Sequence, residues 1–480
     1  MSTTRTLLTL FGVLLALSVI AAVWRPRSTD DPRTPLVWVS DNSPARQAQI
    51  EAFNRLHPEL RLRLDYGSRG TQKIILQCTS GVGPDLFDYS SEEIGAFVEA
   101  GILWDITEVA EGLGLSPKNG WPGAERNYTH QGRQYGYPCN TGVPILIFNR
   151  NLFDLLEIDY PKQLMTIGEF IALAKAFGEA SQRKLPPGGQ VYPCAGMDWK
   201  ILFSALRGEF FDPLGAPNLD NNPALLQALE LHHQFLFKYR LMPTTIEART
   251  MSGQGGWGSG NINQFAAGRF GMFVGGHWTL IAFSRTYHQQ IAELQRRGVH
   301  PEEISTPTER PLHLGAVLIP RFPGRQPGYP ISSRVAGINV RSPRREEALA
   351  FLQYLAGNTY SELLNQSCDS LPGNPGYADA GVEAGPPALD RVAMQAVTME
   401  AMRYGYSFRE SPFLQLADVH RAISAQIDRM EADPDLPVPG LLRHAQKELE
   451  RIMRRNLDRN PALKARYIET FGTSAYHSLP

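Results

Sequence analysis

The sequence has little sulfur and almost no surplus charge. Four cysteines in 480 residues (Cys78, Cys139, Cys194 and Cys368) are too few for a disulfide scaffold. No CxxC spacing prepares a zinc site. They read either as buried free thiols or as one or two disulfides. Lys and Arg number 47 against 48 Asp and Glu, so no cationic excess is available to hold a phosphate backbone and no nucleic-acid partner is expected. There is no Walker A lysine motif, no HExxH and no G-x-S-x-G, which removes the P-loop, zincin and hydrolase-elbow chemistries. Gly253-Gln254-Gly255-Gly256-Trp257-Gly258 spells GxGxxG, but no strand precedes it, so it reads as a loop rather than a dinucleotide site. His232 and His233 are adjacent, point to different sides of a helix, and do not chelate together.

What is present is globular: 42% hydrophobic and 20% charged residues, in a length suited to two or three domain-sized units. Gly 43 and Pro 36 indicate many short elements. Leu7 to Trp24 is nearly free of polar side chains and is flanked by Arg5, Arg25 and Arg27. At ~1.5 Å per residue it reaches about 27 Å as a helix. Residues 1–24 are therefore expected to be a signal peptide or a membrane anchor, with Val19-Ile20-Ala21 as the small-residue cleavage site in the first case. Residues 25–35 read as a linker, and the chain as exported.

From Leu36 the pattern is strand, helix, strand, helix, strand. Leu36–Ser40 is a short apolar run, and Ala45, Ala48, Ala52, Phe53 and Leu56 recur at helical spacing. Leu60, Leu62 and Leu64 alternate with charged residues, and Leu86–Tyr89 follows a turn. This predicts a parallel sheet with helices on its faces, and ligand loops at the carboxyl ends of its strands. Further on, Ile262–Phe270 reads as helix and Met272–Val274 as strand. Residues 285–312 read as a polar insertion, and two helices, Arg344–Leu355 and Leu441–Met453, close the body.

In this order the residues resemble a known family. Gly83-Pro84-Asp85-Leu86-Phe87 with Phe97–Leu103, Tyr135–Pro138 with Leu146–Phe153, Phe265–Phe273 with Gly276-His277-Trp278, and Leu318-Ile319-Pro320 with Ala336–Asn339 and Ala348–Leu352 are similar to motifs of the extracytoplasmic solute-binding proteins of ABC importers, in particular the maltose-binding-like group. The resemblance implies a type II periplasmic binding protein fold, α/β, with two interleaved lobes joined by hinge crossovers. These are expected at Tyr137–Gly142, Pro330–Val335 and Tyr404–Pro412. It puts residues 36–140 with 333–403 in one lobe and 141–332 with 404–456 in the other, with 457–480 as a C-terminal tail. The 285–312 insertion and the tail have no counterpart in the family pattern.

A sugar offers apolar CH faces and a rim of hydroxyls, so its site needs flat rings and paired hydrogen-bonding groups. Carried over from the family, the ligand-binding candidates are Ser40, Asp41 and Asn42 after the first strand, and Tyr89, Ser90 and Glu92 after the third. Asn140 and Thr141 stand at the crossover, where a carboxylate is expected instead. Trp199, Trp278 and Phe413 stand at aromatic positions, Trp257 faces ligand from the glycine-rich loop, and Arg334 and Arg409 are bidentate donors. The alternative reading of Asp41 is a helix cap, that of Tyr89, Trp199 and Trp278 is core, and Arg334 reads first as a surface residue. The implied function is capture of a sugar or oligosaccharide and its delivery to an ABC transporter permease, with no catalytic residue, metal or cofactor. The protein is expected to be a monomer, held at the membrane by its N-terminal segment if that is retained. The alternatives are binding of iron, a polyamine or another anion, and a membrane-tethered sugar-acting enzyme. The absence of any Tyr-Tyr pair speaks against a ferric site.

Overall fold

A computed structural model describes residues 11–16, 18, 31–186, 191–251, 260–304 and 309–480. Most of the apolar stretch at the N-terminus, the Val19–Ala21 cleavage site and Trp257 lie outside these residues. Residues 11–16 and 18 are helical and exposed, and no described helix is long and apolar enough to cross a membrane.

The first lobe is built on β1 (Thr34–Val39), β2 (Leu60–Asp65) and β3 (Leu86–Tyr89). β1 lies between the other two and runs parallel to both, with Leu36 opposite Leu62 and Trp38 opposite Leu86. The helix Ala45–Leu56 connects β1 to β2 and turns Ala45, Arg46, Gln49, Ala52 and Phe53 inward. Of the predicted apolar stripe Ala45, Ala52 and Phe53 are buried, whereas Ala48 and Leu56 are exposed and Arg46 and Gln49 turn inward to meet the polar groups of the first lobe. β2 buries Leu60 and Leu62 and exposes Arg63, as period-2 alternation requires. A small hairpin follows, β4 (Thr129–His130) with β5 (Arg133–Gln134).

The chain then crosses. β6 (Tyr137–Gly142) completes the first sheet and β7 (Pro144–Asn149) begins the second, with only Val143 between them. The second sheet adds β8 (Tyr192–Ala195), β9 (Phe270–Gly276) and β10 (Leu314–Val317) in the order β10-β7-β9-β8. The return passes through β11 (Tyr329–Pro330) into β12 (Ser332–Ile338). β12 inserts antiparallel between β3 and β6 and gives the first sheet its order β2-β1-β3-β12-β6. β13 (Gly405–Tyr406) pairs in parallel with β11, so the three predicted crossing segments meet beside one another. The architecture is a two-lobed α/β fold in which each lobe is discontinuous in sequence.

Five expectations change. The helix predicted over Ile262–Phe270 covers Asn261–Ala266 and stops before Gly268, whose φ of +74° breaks it; Phe270 opens β9. Residues 285–296 continue the helix Leu280–Arg296 rather than looping out, because Leu294 is buried beneath it. The body closes with more helices than two: Asn358–Ser367, Arg391–Met402 and Leu416–Ala432 add to Arg345–Ala356 and Val438–Arg459. Arg391–Met402, assigned with the first lobe, packs Met394, Val397, Ala401 and Met402 into the core of the second. The tail also folds: helices Pro461–Phe471 and Thr473–Ser478 bury Tyr467 and Tyr476 against that same core.

Candidate functional site

Two features occupy the space where the strands of both lobes end. The first is a polar network on the first lobe. Asp88 lies on the opposite face of β3 from Phe87 and Tyr89, which pack against Phe97. Asp88 accepts hydrogen bonds from Trp38 Nε1 (2.6 Å), Ser40 Oγ and Arg334 Nη1 (2.7 Å). Arg334 reaches it because the β6–β12 register shifts after residue 334 and leaves Cys139 without a strand partner. Arg334 also pairs with Asp369 at 3.3 Å and Asp41 at 3.7 Å. Buried Arg46 pairs with Asp369 at 2.6 Å and Asp41 at 3.1 Å. Three carboxylates thus surround two guanidiniums. Burial works against the Asp41 charge, but Arg334 and Arg46 hold its pKa down, to about 2.

The second is a cavity of about 950 Å³ between the lobes. Ser91 and Glu92, just past β3, and Gly196 and Asp198, just past β8, form its floor. One wall is the segment from Tyr406 to Leu416, and another is the end of the helix Val438–Arg459. Polar contacts tie the lobes together across it. His420 Nδ1 lies 2.6 Å from Glu92 Oε1, and Lys200 Nζ lies 3.4 Å from the same oxygen. Gln415 Nε2 donates to Glu99 at 2.9 Å and Arg126 Nη1 to the Ser407 carbonyl at 3.1 Å. The hydrogen bond from His420 lowers the Glu92 pKa to about 2 against the opposing effect of burial, with Lys200 adding to it. Asp198 accepts from the backbone N–H groups of Lys200 and Ile201 and so caps the helix Trp199–Ala205; burial raises its pKa.

The sequence candidates divide among several places. Ser40, Asp41, Asn140 and Arg334 come together in the polar network, where Asn140 donates to both the carbonyl and the carboxylate of Asp369. Glu92, Arg409 and Phe413 line the cavity. Thr141 is buried beside the crossing, 2.8 Å from Ser333 Oγ. Ser90 is held by Glu93 at 3.0 Å, and Asn42 is exposed. Tyr89 is 2% exposed in the core of the first lobe. Trp199 is 4% exposed, against Phe210 and the edge of His420. Trp278 is 37% exposed with its ring against Gly276, and is not among the residues lining the cavity. Lys200, Asp198, His420, Phe408 and Arg459 are among the cavity residues that the motifs do not indicate. Two of them have a sequence signal: Phe408 falls in the predicted crossing Tyr404–Pro412, and His420 lies on the helix with the apolar stripe Val419, Ala422, Ile423, Ile427 and Met430.

No group of three or more His, Cys, Asp or Glu among the described residues is arranged to hold a metal ion. All four cysteines are buried and unpaired.

The family model for bacterial extracellular solute-binding protein matches residues 39–362. Among solved structures, an ABC substrate-binding protein of Listeria monocytogenes in complex with cycloalternan is similar, with a TM-score of 0.69 at 16% identity over 88% of this chain and 99% of that one. An ABC transporter solute-binding protein of Thermotoga lettingae bound with α-D-tagatose gives 0.67 at 16% identity, over 88% and 100%. The UgpB protein of Mycobacterium tuberculosis in complex with glycerophosphocholine gives 0.65 at 15% identity, over 88% and 99%. At these identities the likeness establishes the two-lobed fold.

Proposed function

The chain belongs to the bacterial extracellular solute-binding proteins, and on that premise we propose that it captures a carbohydrate between its lobes and delivers it to an ABC importer. The observation that carries this reading is the cavity of about 950 Å³ bounded by both lobes and their crossing segments. That volume suits a small oligosaccharide. Tyr406 and Phe408 on its wall supply ring surface for sugar CH faces, and Ser91 supplies a hydroxyl for the sugar's hydroxyls. Two of the similar structures named above were solved with sugars. The mechanism is closure: the lobes rotate about the three adjacent crossings, and the permease recognises the closed form. No bond is made or broken. The protein acts as a monomer outside the cytoplasm, brought there by the apolar segment Leu7–Trp24, either cleaved as a signal or kept as a tether.

The test is a thermal-shift screen with maltotriose, tagatose, cycloalternan, glycerophosphocholine, ferric citrate and spermidine. A ligand that binds only the folded protein raises its melting temperature by mass action. Stabilisation by a sugar supports the reading; stabilisation by iron or spermidine alone overturns it. Release of reducing sugar from maltotriose would replace it with the enzyme.

A further inference from the structure

The charged groups of the cavity are unequally committed. Each carboxylate already has donors. Glu92 faces His420 and Lys200, Glu99 accepts from Gln415, and Asp198 caps a helix. Glu410 faces His130 at 3.7 Å and the Gln131 backbone N–H at 3.5 Å. Lys200 is spent on Glu92, and Arg126 on a carbonyl. The guanidiniums of Arg409 and Arg459 stand apart. Both line the cavity, and neither has a hydrogen-bonding or ionic partner in the described structure; only the Arg409 backbone N–H is bonded, to Glu209.

Both reach the cavity wall from distant parts of the chain. Arg459 ends the helix Val438–Arg459. One turn earlier, Asn456 Nδ2 donates to the Phe413 carbonyl at 3.1 Å, fixing that helix end to the segment that carries Arg409. Phe413 is in turn clamped by Tyr467 and Phe471 of the tail. The residues beyond 456 that lack a counterpart in the family pattern are therefore part of the cavity wall.

Resting on the carbohydrate reading above, we propose that the solute carries an anionic group, a carboxylate or a phosphate ester, received by Arg409 and Arg459. A guanidinium offers a planar fork of donors matched to either group. With the cavity's carboxylates already engaged, the unused valences are donors, which an anionic group on the solute complements better than a hydroxyl does.

The experiment compares Kd by calorimetry for D-glucose, D-glucuronate and D-glucose 6-phosphate, and for D-galactose and D-galacturonate, on the full chain. The expected result is at least about tenfold tighter binding of an acid than of its neutral parent, weakening as ionic strength rises. The uronate and phosphate arms identify which anion is used. In the double variant R409Q/R459Q the acid-to-neutral preference falls by about tenfold or more. Arg459 is exposed and Arg409 half-buried without a side-chain partner, so the variant is expected to keep its melting temperature. Equal or tighter binding of the neutral parent, or a preference that survives in the variant, overturns the anion inference and leaves the carbohydrate reading standing. If no member of either set binds, the anion inference fails, and the thermal-shift screen with maltotriose and cycloalternan decides the carbohydrate reading separately.

Discussion

His420 of the second lobe and Glu92 of the first meet across the cleft, with Nδ1 of one 2.6 Å from Oε1 of the other. Lys200 joins the same oxygen from the second lobe. This contact ties the two lobes to one another. The Glu92 side chain is 42% exposed, so the pair contributes only about 1 kcal/mol. Glu92→Gln is expected to cost that much in urea denaturation at neutral pH and to enlarge the radius of gyration in solution scattering. The Glu92 pKa falls from 4.5 to about 2 on folding, so its contribution is complete above pH 4.5 and disappears as pH drops toward 2. Variant and wild type should therefore converge in stability as pH falls across that window.

The Arg334 network is buried and leaves no such latitude. Arg334→Met removes a guanidinium that faces Asp88, Asp369 and Asp41, leaving three carboxylates with Arg46 alone. A loss of about 3–5 kcal/mol is expected in urea denaturation. A loss below about 1 kcal/mol would contradict the assigned role.

The four cysteines are buried and unpaired, and burial pushes the Cys78 thiol up to about 11 and raises that of Cys368. Thiolate is the reactive form, so Ellman's reagent should react slowly with the native protein and titrate all four thiols in denaturant. Reductant should leave the melting temperature unchanged.

Gly196 closes β8 onto the cavity floor with φ +79°, and a Cβ there would sit 2.7 Å from the Val274 carbonyl oxygen. Gly196→Ala combines a strained conformation with a backbone clash and is expected to cost about 1–3 kcal/mol in chemical denaturation.

The sequence reveals the fold because the apolar run of β1, the helical spacing of Ala45, Ala52 and Phe53 and the alternation of β2 are each local signals, and because Pro and Gly mark the crossings. The site is less legible, for physical reasons that individual residues show. At the end of β3 the strand parity sends Tyr89 into the core and Asp88 into the polar network, and a four-residue strand is too short to reveal that parity. Arg334 looks like any surface arginine until the register shift turns it toward three aspartates. His420 and Arg459 reach the cavity only when segments hundreds of residues from β3 fold back onto it, which local patterns do not record.

The most direct test of the account is calorimetric titration of maltotriose and of D-glucuronate into the wild type and into Ser91→Trp. Ser91 lines the cavity and has no side-chain partner among the described residues, so an indole there fills the space between the lobes. The account predicts one solute per chain for at least one of the two ligands in the wild type. Ser91→Trp should lose that binding while keeping its melting temperature. Failure of both ligands to bind, or binding undiminished in Ser91→Trp, would contradict it.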